Sequence, residues 1–289
     1  MEHSATTTTR QTHYAVPQPM PWPIMGSASL FCMALGAVFL FNGNRGGWVP
    51  IAFGIMLLLY MMVRWFGDVI RESEGGKYGH WEDVSFRWGM SWFIFSEVMF
   101  FGAFFGALFW LRRMSVPDLA SLESNALLWP GFTAHWPSAG PGFTESFSPM
   151  AAWGIPAINT LLLLSSGVTV TIAHYALKEN RRGMLNLFLF LTIALGLTFL
   201  CLQIFEYHHA YTELNLKLST GAYGSTFFML TGFHGFHVTV GAIMLSVILG
   251  RCLSGHFKPD HHFAFEGVAW YWHFVDVVWL GLFIFVYWL

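Results

Sequence analysis

The chain has 289 residues, with 14 Lys and Arg against 16 Asp and Glu for a formal net charge of -2; 55% of its residues are apolar and only 10% are charged. Soluble domains carry roughly 25% charged residues, so the composition indicates an all-α polytopic membrane protein, and its balanced charge gives no electrostatic basis for nucleic-acid binding. Cys32, Cys201 and Cys252 form neither a CxxC pair nor a disulfide-type spacing, which argues against a thiolate metal centre and a secreted scaffold.

Residues 1–23 read as a polar tail: a Thr6–Thr9 run and the stretch PQPMPWP, without the apolar core of a signal peptide, ending at an interfacial Trp22. The rest, 24–289, reads as one transmembrane domain of seven apolar segments at about 24–42, 48–66, 88–111, 150–173, 184–207, 223–250 and 264–289. Segments of this length fit helices crossing a hydrocarbon core of roughly 30 Å. Trp48, Trp65, Trp110, Tyr207 and Trp288 stand near segment ends, as an interfacial belt requires.

Sidedness follows from the basic residues. Arg10, Arg64, Arg71, Lys77, Arg87, Lys178, Arg181, Arg182, Arg251 and Lys258 fall on one side, and Arg45, Arg112, Arg113 and Lys217 on the other. The positive-inside rule then places the N-terminus inside and the C-terminus outside. The loop from Arg112 to Pro149, rich in Ser, Pro and Gly, lies mostly outside and is expected to be irregular but packed.

Between the second and third segments, GDVIRESEGGKYGHWEDVSFRWG reads as an ordinary solvated loop or as a surface for lipid headgroups or a partner chain. Arg71, His80 and Arg87 lie there at the inner boundary, where anionic lipid gathers. The third segment holds the most informative residue. Glu97 is the one ionisable side chain between Trp88 and Leu111. A charge there costs about 2.5–3.5 kcal/mol even on the mildest insertion scale. A neutral carboxyl hydrogen-bonded to a partner is the cheaper arrangement. Phe93, Ile94, Phe100 and Phe101 on its own helix face cannot serve, so the partner must come from another helix, a lipid or another chain. At 1.5 Å per residue Glu97 lies about 14 Å from the inner end of its segment.

In the fourth segment Asn159, Thr160, Ser165, Ser166, Thr169 and Thr171 are expected to serve close helix packing. The sixth spaces Thr231, His234 and His237 three residues apart, roughly on one face. The seventh places Glu266 near its inner end and His273 and Asp276 one turn apart. Interhelical hydrogen bonding is the plainer reading of these groups; a proton relay, or haem held by His234 or His237 with His273, is the functional alternative. No HExxH motif or cysteine cluster is present, and no metal site is expected. Lys77, Lys178, Lys217 and Lys258 all lie in loops, which excludes a retinal Schiff base. A stand-alone seven-helix transporter is a rival class, although the chain shows no internal repeat.

The stretches DVIRES with the following GH and RWGM, then FIFSEVMFFGAFF, INTLLLLSSGVTVTIAH, QIFEY, YGSTFFMLTGFHGFHV and HHFAFEGVAWYWHFVDVVWL together resemble subunit III of the haem–copper cytochrome c oxidases, in family order from about Trp22 to the end. The resemblance implies a V of helices 1–2 against helices 3–7 with phospholipid in the cleft. It implies a non-catalytic subunit of an aa3-type oxidase, packed beside catalytic subunit I and near subunit II. Haem a and copper would reside in those partners, and structural phospholipid would be this chain's own ligand. Glu97 corresponds to the family's buried, proton-related carboxyl. Arg71, His80 and Arg87 correspond to positions near lipid headgroups. Glu206 and Tyr207, His234 and His237, and Glu266, Trp270, His273 and Asp276 match further family motifs. The family is credited with sustaining proton uptake and protecting the catalytic subunit during turnover. The expected location is a bacterial cell inner membrane, N-terminus cytoplasmic and C-terminus periplasmic. Departures occur at Gly67, where the family carries a basic residue, and at Trp110 with Arg112–Arg113, where it runs toward a His. Ser219 and Thr220 occupy a stretch where the family commonly has an acidic residue.

Overall fold

The computed structural model describes residues 19–143 and 145–288, so most of the tail expected at 1–23 lies outside the described residues. Among these, seven helices are long and apolar enough to cross a membrane. They are α1 (Trp22–Phe41), α2 (Trp48–Glu74), α3 (His80–Trp110), α4 (Ile155–Lys178), α5 (Arg182–Thr212), α6 (Gly221–Leu253) and α7 (Phe263–Leu282). Helices α3 and α7 run on through π-helical turns at Leu111–Ser115 and Phe283–Trp288. The described residues contain no strand beyond one isolated antiparallel bridge between Lys258 and His261. The chain is an all-α, multi-span membrane protein.

The stretch between the second and third apolar segments is mostly helical. Helix α2 continues to Glu74 and α3 begins at His80, leaving only residues 75–79 outside helix. Hydropathy measures the length that faces hydrocarbon, whereas a helix continues into water wherever polar side chains support it. Here Asp68 pairs with Arg71, Tyr78 donates to Glu72 at 2.7 Å, and Glu82 accepts from the Gly79 N–H at 2.8 Å. Glu82 and Asp83 also set negative charge against the positive end of the α3 dipole.

The chain divides into two compact units, residues 1–86 and residues 87–289. In the first, α1 and α2 form an antiparallel pair whose buried positions recur every seven residues: Trp22, Ser29 and Gly36 on the first arm, Gly47, Gly54 and Met61 on the second. Such a period keeps one narrow seam facing the partner helix. Between Trp22 and Met61 at one end, the seam is made of small residues, so the backbones approach closely there. A Cβ on Gly36 would lie 2.5 Å from the Gly47 carbonyl oxygen, and one on Gly54 would lie 2.6 Å from Cγ of Met33. Ser29 Oγ donates across the seam to the Gly54 carbonyl at 2.7 Å, and Trp22 Nε1–H donates to Asp68 at 2.8 Å.

In the second unit α4 packs on α5, α5 on α6, α6 on α7 and α7 back on α4, closing a ring of four helices. Its centre is aromatic: Trp272, Trp279, Phe199 and Phe227 are almost fully buried. The Trp272 indole lies in a slot that only glycine leaves open, since a Cβ on Gly196 of α5 would meet it at 2.6 Å and one on Gly241 of α6 at 2.8 Å. Its Nε1–H donates to Ser166 Oγ of α4 at 2.9 Å, so one side chain of α7 engages all three other helices. The part of α3 from Arg87 onward is held by long side chains: Phe93 stacks on Tyr271, Phe100 meets Phe233 edge-on, and Phe101 packs on Phe274. The loop after α3 turns through two short helices and then packs over the start of α6. The carbonyls of Ser138 and Ala139 accept from the N–H groups of Tyr223 and Ala222 at 3.0 and 3.1 Å, satisfying donors that a helix start leaves open.

Candidate functional site

Glu97 of α3 finds its partner in His237 of α6, with Oε2 2.8 Å from Nε2. The side chains are 22% and 9% exposed, so the pair is largely withdrawn from its surroundings. Rings enclose the imidazole: Phe101 at 5.0 Å, Phe236 at 5.8 Å, Phe100 at 5.9 Å, and Phe274 and Tyr271 both at 6.4 Å. The other ring nitrogen fixes the chemistry. Nδ1 lies 2.6 Å from the Phe233 carbonyl oxygen, which can only accept, so Nδ1 carries a proton. A neutral ring then presents a lone pair at Nε2, and the carboxyl must supply the proton of the 2.8 Å bond. If the proton crosses, the pair becomes imidazolium and carboxylate with the same net charge. Either form holds one proton between Oε2 and Nε2.

The three polar residues spaced along one face of α6 serve three different helices. Thr231 Oγ1 is 2.7 Å from the Tyr207 hydroxyl of α5. His234 Nε2 lies 3.3 Å from the Val275 carbonyl of α7, with its ring between those of Phe199 and Trp279. His237 reaches α3. On α7, His273 Nδ1 is 3.7 Å from Asp276 and its Nε2 is 3.2 Å from Thr171 of α4. Gly167 lets Asp276 approach α4, because a Cβ there would collide with the carboxylate. Two polar residues of α4 are likewise interhelical acceptors: Ser166 for Trp272, and Thr160 for Trp279, both at 2.9 Å. Asn159 differs, since both of its side-chain polar atoms are buried without a partner.

Two of the three residues expected at the headgroup boundary, Arg71 and Arg87, already hold carboxylates. Arg71 is exposed and pairs with Asp68. Arg87 lies 2.8 Å from Glu266 and covers the Phe263 ring at 5.5 Å. His80 is exposed beside Trp81.

Two features were not read from the residues alone. Glu206, 1% exposed, accepts from the Tyr287 hydroxyl at 2.7 Å. Tyr287 belongs to a run of aromatic residues and carries no local signal of that role. His174 of α4 joins His262 and Glu266 in a group whose candidate ligand atoms all lie within 4.8 Å of one another. The spacing of His262, just before α7, and Glu266 in its first turn, four residues apart, was the available signal. His174 lies too far away in sequence to add to it.

A family model described as cytochrome c oxidase subunit III matches residues 12–289. Among curated relatives, cytochrome c oxidase subunit 3 of Hippopotamus amphibius is 41% identical over 284 residues, covering 97% of this chain and 98% of the relative. The protein of the same name from Rattus norvegicus is 40% identical over 284 residues, with the same coverage. That of Marchantia polymorpha is 41% identical over 271 residues, covering 93% of this chain and 94% of the relative.

Proposed function

The chain belongs to the cytochrome c oxidase subunit III family, a membrane-embedded part of an oxidoreductase complex, and from that premise we propose that it is a non-catalytic subunit sustaining proton uptake and stability in an aa3-type enzyme. The observation that carries this reading is the Glu97–His237 pair, a carboxyl and an imidazole 2.8 Å apart between α3 and α6 inside an aromatic enclosure. A group of this kind conserves a proton at membrane depth and binds no electron carrier. On this reading haem a and copper reside in subunits I and II, and this chain supplies packing surface, a protonated pair and bound phospholipid.

Arg71, His80 and Arg87 are proposed as the headgroup contacts. The carboxylate partners of Arg71 and Arg87 imply that a phosphate shares or displaces Asp68 and Glu266 as acceptor. The charge count supports an N-terminus on the proton-uptake side of an energy-coupling membrane. That side is the cytoplasmic one in the bacterial inner membrane expected from the sequence. The relatives compared are animal and plant proteins and lend no support to a bacterial source.

The test is the assembled complex carrying Glu97→Gln. The amide can donate to His237 Nε2 as the carboxyl does, so the complex should assemble with normal haem content. It should lose the infrared carbonyl band of the protonated acid and lose activity sooner under sustained turnover. Unaltered endurance through turnover would reject the proton-related role. Purification of the chain as an active carrier free of haem-bearing partners would reject the whole reading.

A further inference from the structure

We propose that Asn159 of α4, with Gln203 and Glu206 of α5, lines a site for ordered internal water at the end of the four-helix ring where α4 begins and α5 finishes. The three residues are 0%, 5% and 1% exposed. Asn159 Nδ2 and Oδ1, Gln203 Nε2 and Oε1, and Glu206 Oε2 are all buried without a hydrogen-bond partner among the described residues. Buried polar side-chain atoms are paired in the large majority of cases, with protein or with ordered water.

The register of the helices brings these atoms to one level. Thr169 Oγ1 of α4 lies 2.8 Å from Thr192 Oγ1 of α5, and the two helices run antiparallel from the short link at residues 179–181. Ten residues from that contact, toward the start of α4 and the end of α5, stand Asn159 and Leu202, the latter adjoining Gln203. Asn159 shares the buried face of α4 with Leu163, Ser166 and Val170. Gln203 and Glu206 share that of α5 with Gly196 and Phe199. Glu206 Oε1 accepts from the Tyr287 hydroxyl at 2.7 Å, which leaves only Oε2 open. Phe227 and Trp279 back the Tyr287 ring at 5.4 and 5.9 Å, so the surroundings are otherwise apolar.

The mixture of groups selects the ligand. Each amide offers two N–H donors and a carbonyl acceptor, and the carboxyl oxygen adds a further polar partner. A cation would meet the amide donors, and an anion would meet the carboxyl. A small neutral molecule that both donates and accepts satisfies all of them, and buried water does so with about three hydrogen bonds.

The experiment is a density map of the assembled complex at a resolution that shows ordered solvent. Water peaks should lie about 2.7–3.2 Å from Glu206 Oε2 and from the amides of Gln203 and Asn159. Direct hydrogen bonds among the three side chains, with no solvent peak beside them, would overturn the site. The sign of a stability change gives a second reading. Gln203→Met keeps the length of the side chain and removes its polar atoms. Exchanging an idle buried polar group for an apolar one removes a desolvation cost, whereas exchanging a bonded one leaves its partners unsatisfied. The midpoint of SDS-induced dissociation of the variant complex should therefore fall, and its map should lose the water beside residue 203. An unchanged or raised midpoint would reject the assignment. If the variant does not assemble, the wild-type map alone decides.

Discussion

The two compact units of this chain solve the same problem by opposite means. Lipid tails are as apolar as leucine, so helices inside a bilayer gain little by burying apolar surface and need close packing or interhelical hydrogen bonds. The α1–α2 pair removes side chains from its seam. Gly36, Gly47, Gly54 and Ser29 bring backbone against backbone, with the larger Trp22 and Met61 only toward its open end. The ring of α4–α7 fills its seam. Trp272 and Trp279 occupy the centre, glycines on neighbouring helices make room for Trp272, and each indole N–H finds a hydroxyl on α4. A seam of small residues should be hurt by adding atoms, and a seam of large ones by removing them.

The largest expected effect lies in the ring. Trp272→Ala empties the slot between Gly196 and Gly241 and removes the indole donor to Ser166, and large-to-small changes of this kind cost about 3–5 kcal/mol. Unfolding of the purified protein by SDS titration in mixed micelles measures the loss. A cost under about 1 kcal/mol would mean that the ring does not depend on its aromatic centre, and the contrast with the α1–α2 pair would fall.

Next is the reverse change in the other unit. Gly36→Ala sets a methyl group against the Gly47 carbonyl and the Ile51 backbone, neither of which can rotate away. Overpacking typically costs about 1–3 kcal/mol, and the same titration should register it, while Gly43→Ala, where a Cβ meets nothing within 4 Å, isolates backbone strain from seam crowding. Equal losses in the two variants would show that the seam is not specially tight.

Between these in kind, though smaller in size, is the pair on α3 and α6. Glu97→Leu leaves Nε2 of His237 without a partner, and interhelical hydrogen bonds in membranes average about 0.6 kcal/mol with a maximum near 1.7. Glu97→Gln should recover most of that loss, because the tautomer fixed by Phe233 lets an amide N–H replace the acid proton. If Gln is as damaging as Leu, the ring is not the neutral Nδ1–H form that the Phe233 contact implies.

How far the sequence disclosed these features follows from the range over which each signal acts. The spans are local: an apolar run of the right length reads as a helix whatever surrounds it. The polar ends of α2 and α3 escaped that reading because Asp68–Arg71 and Glu82–Gly79 support helix outside the hydrocarbon, where hydropathy is silent. Glu97 stood out as a charge in an apolar run, and exclusion of its own helix face pointed to a distant partner. The identity of that partner did not follow, because His237 lies 140 residues away and shares its face of α6 with Thr231 and His234, which turn to other helices. Tyr287 beside Glu206 and His174 beside Glu266 were unreadable for the same reason. The seven-residue period of Trp22, Ser29 and Gly36 was present in the sequence, but two of its three members are small residues, which hydropathy does not weigh.

The smallest expected effect distinguishes the two ways the α1–α2 pair could be held. Ser29 Oγ donates to the Gly54 carbonyl at 2.7 Å, and Ser29 is fully buried, so the bond could be the tie and the close approach its result. The opposite order is favoured by the carbonyl itself, which also serves the α2 ladder and is not orphaned when the hydroxyl goes. Ser29→Ala keeps the small side chain and removes only the bond, so its cost should stay near 0.6 kcal/mol. Ser29→Val adds bulk as well and should cost more, toward the range of Gly36→Ala. An alanine variant as unstable as the valine variant would make the hydrogen bond, and not the absence of side chains, the basis of the pair.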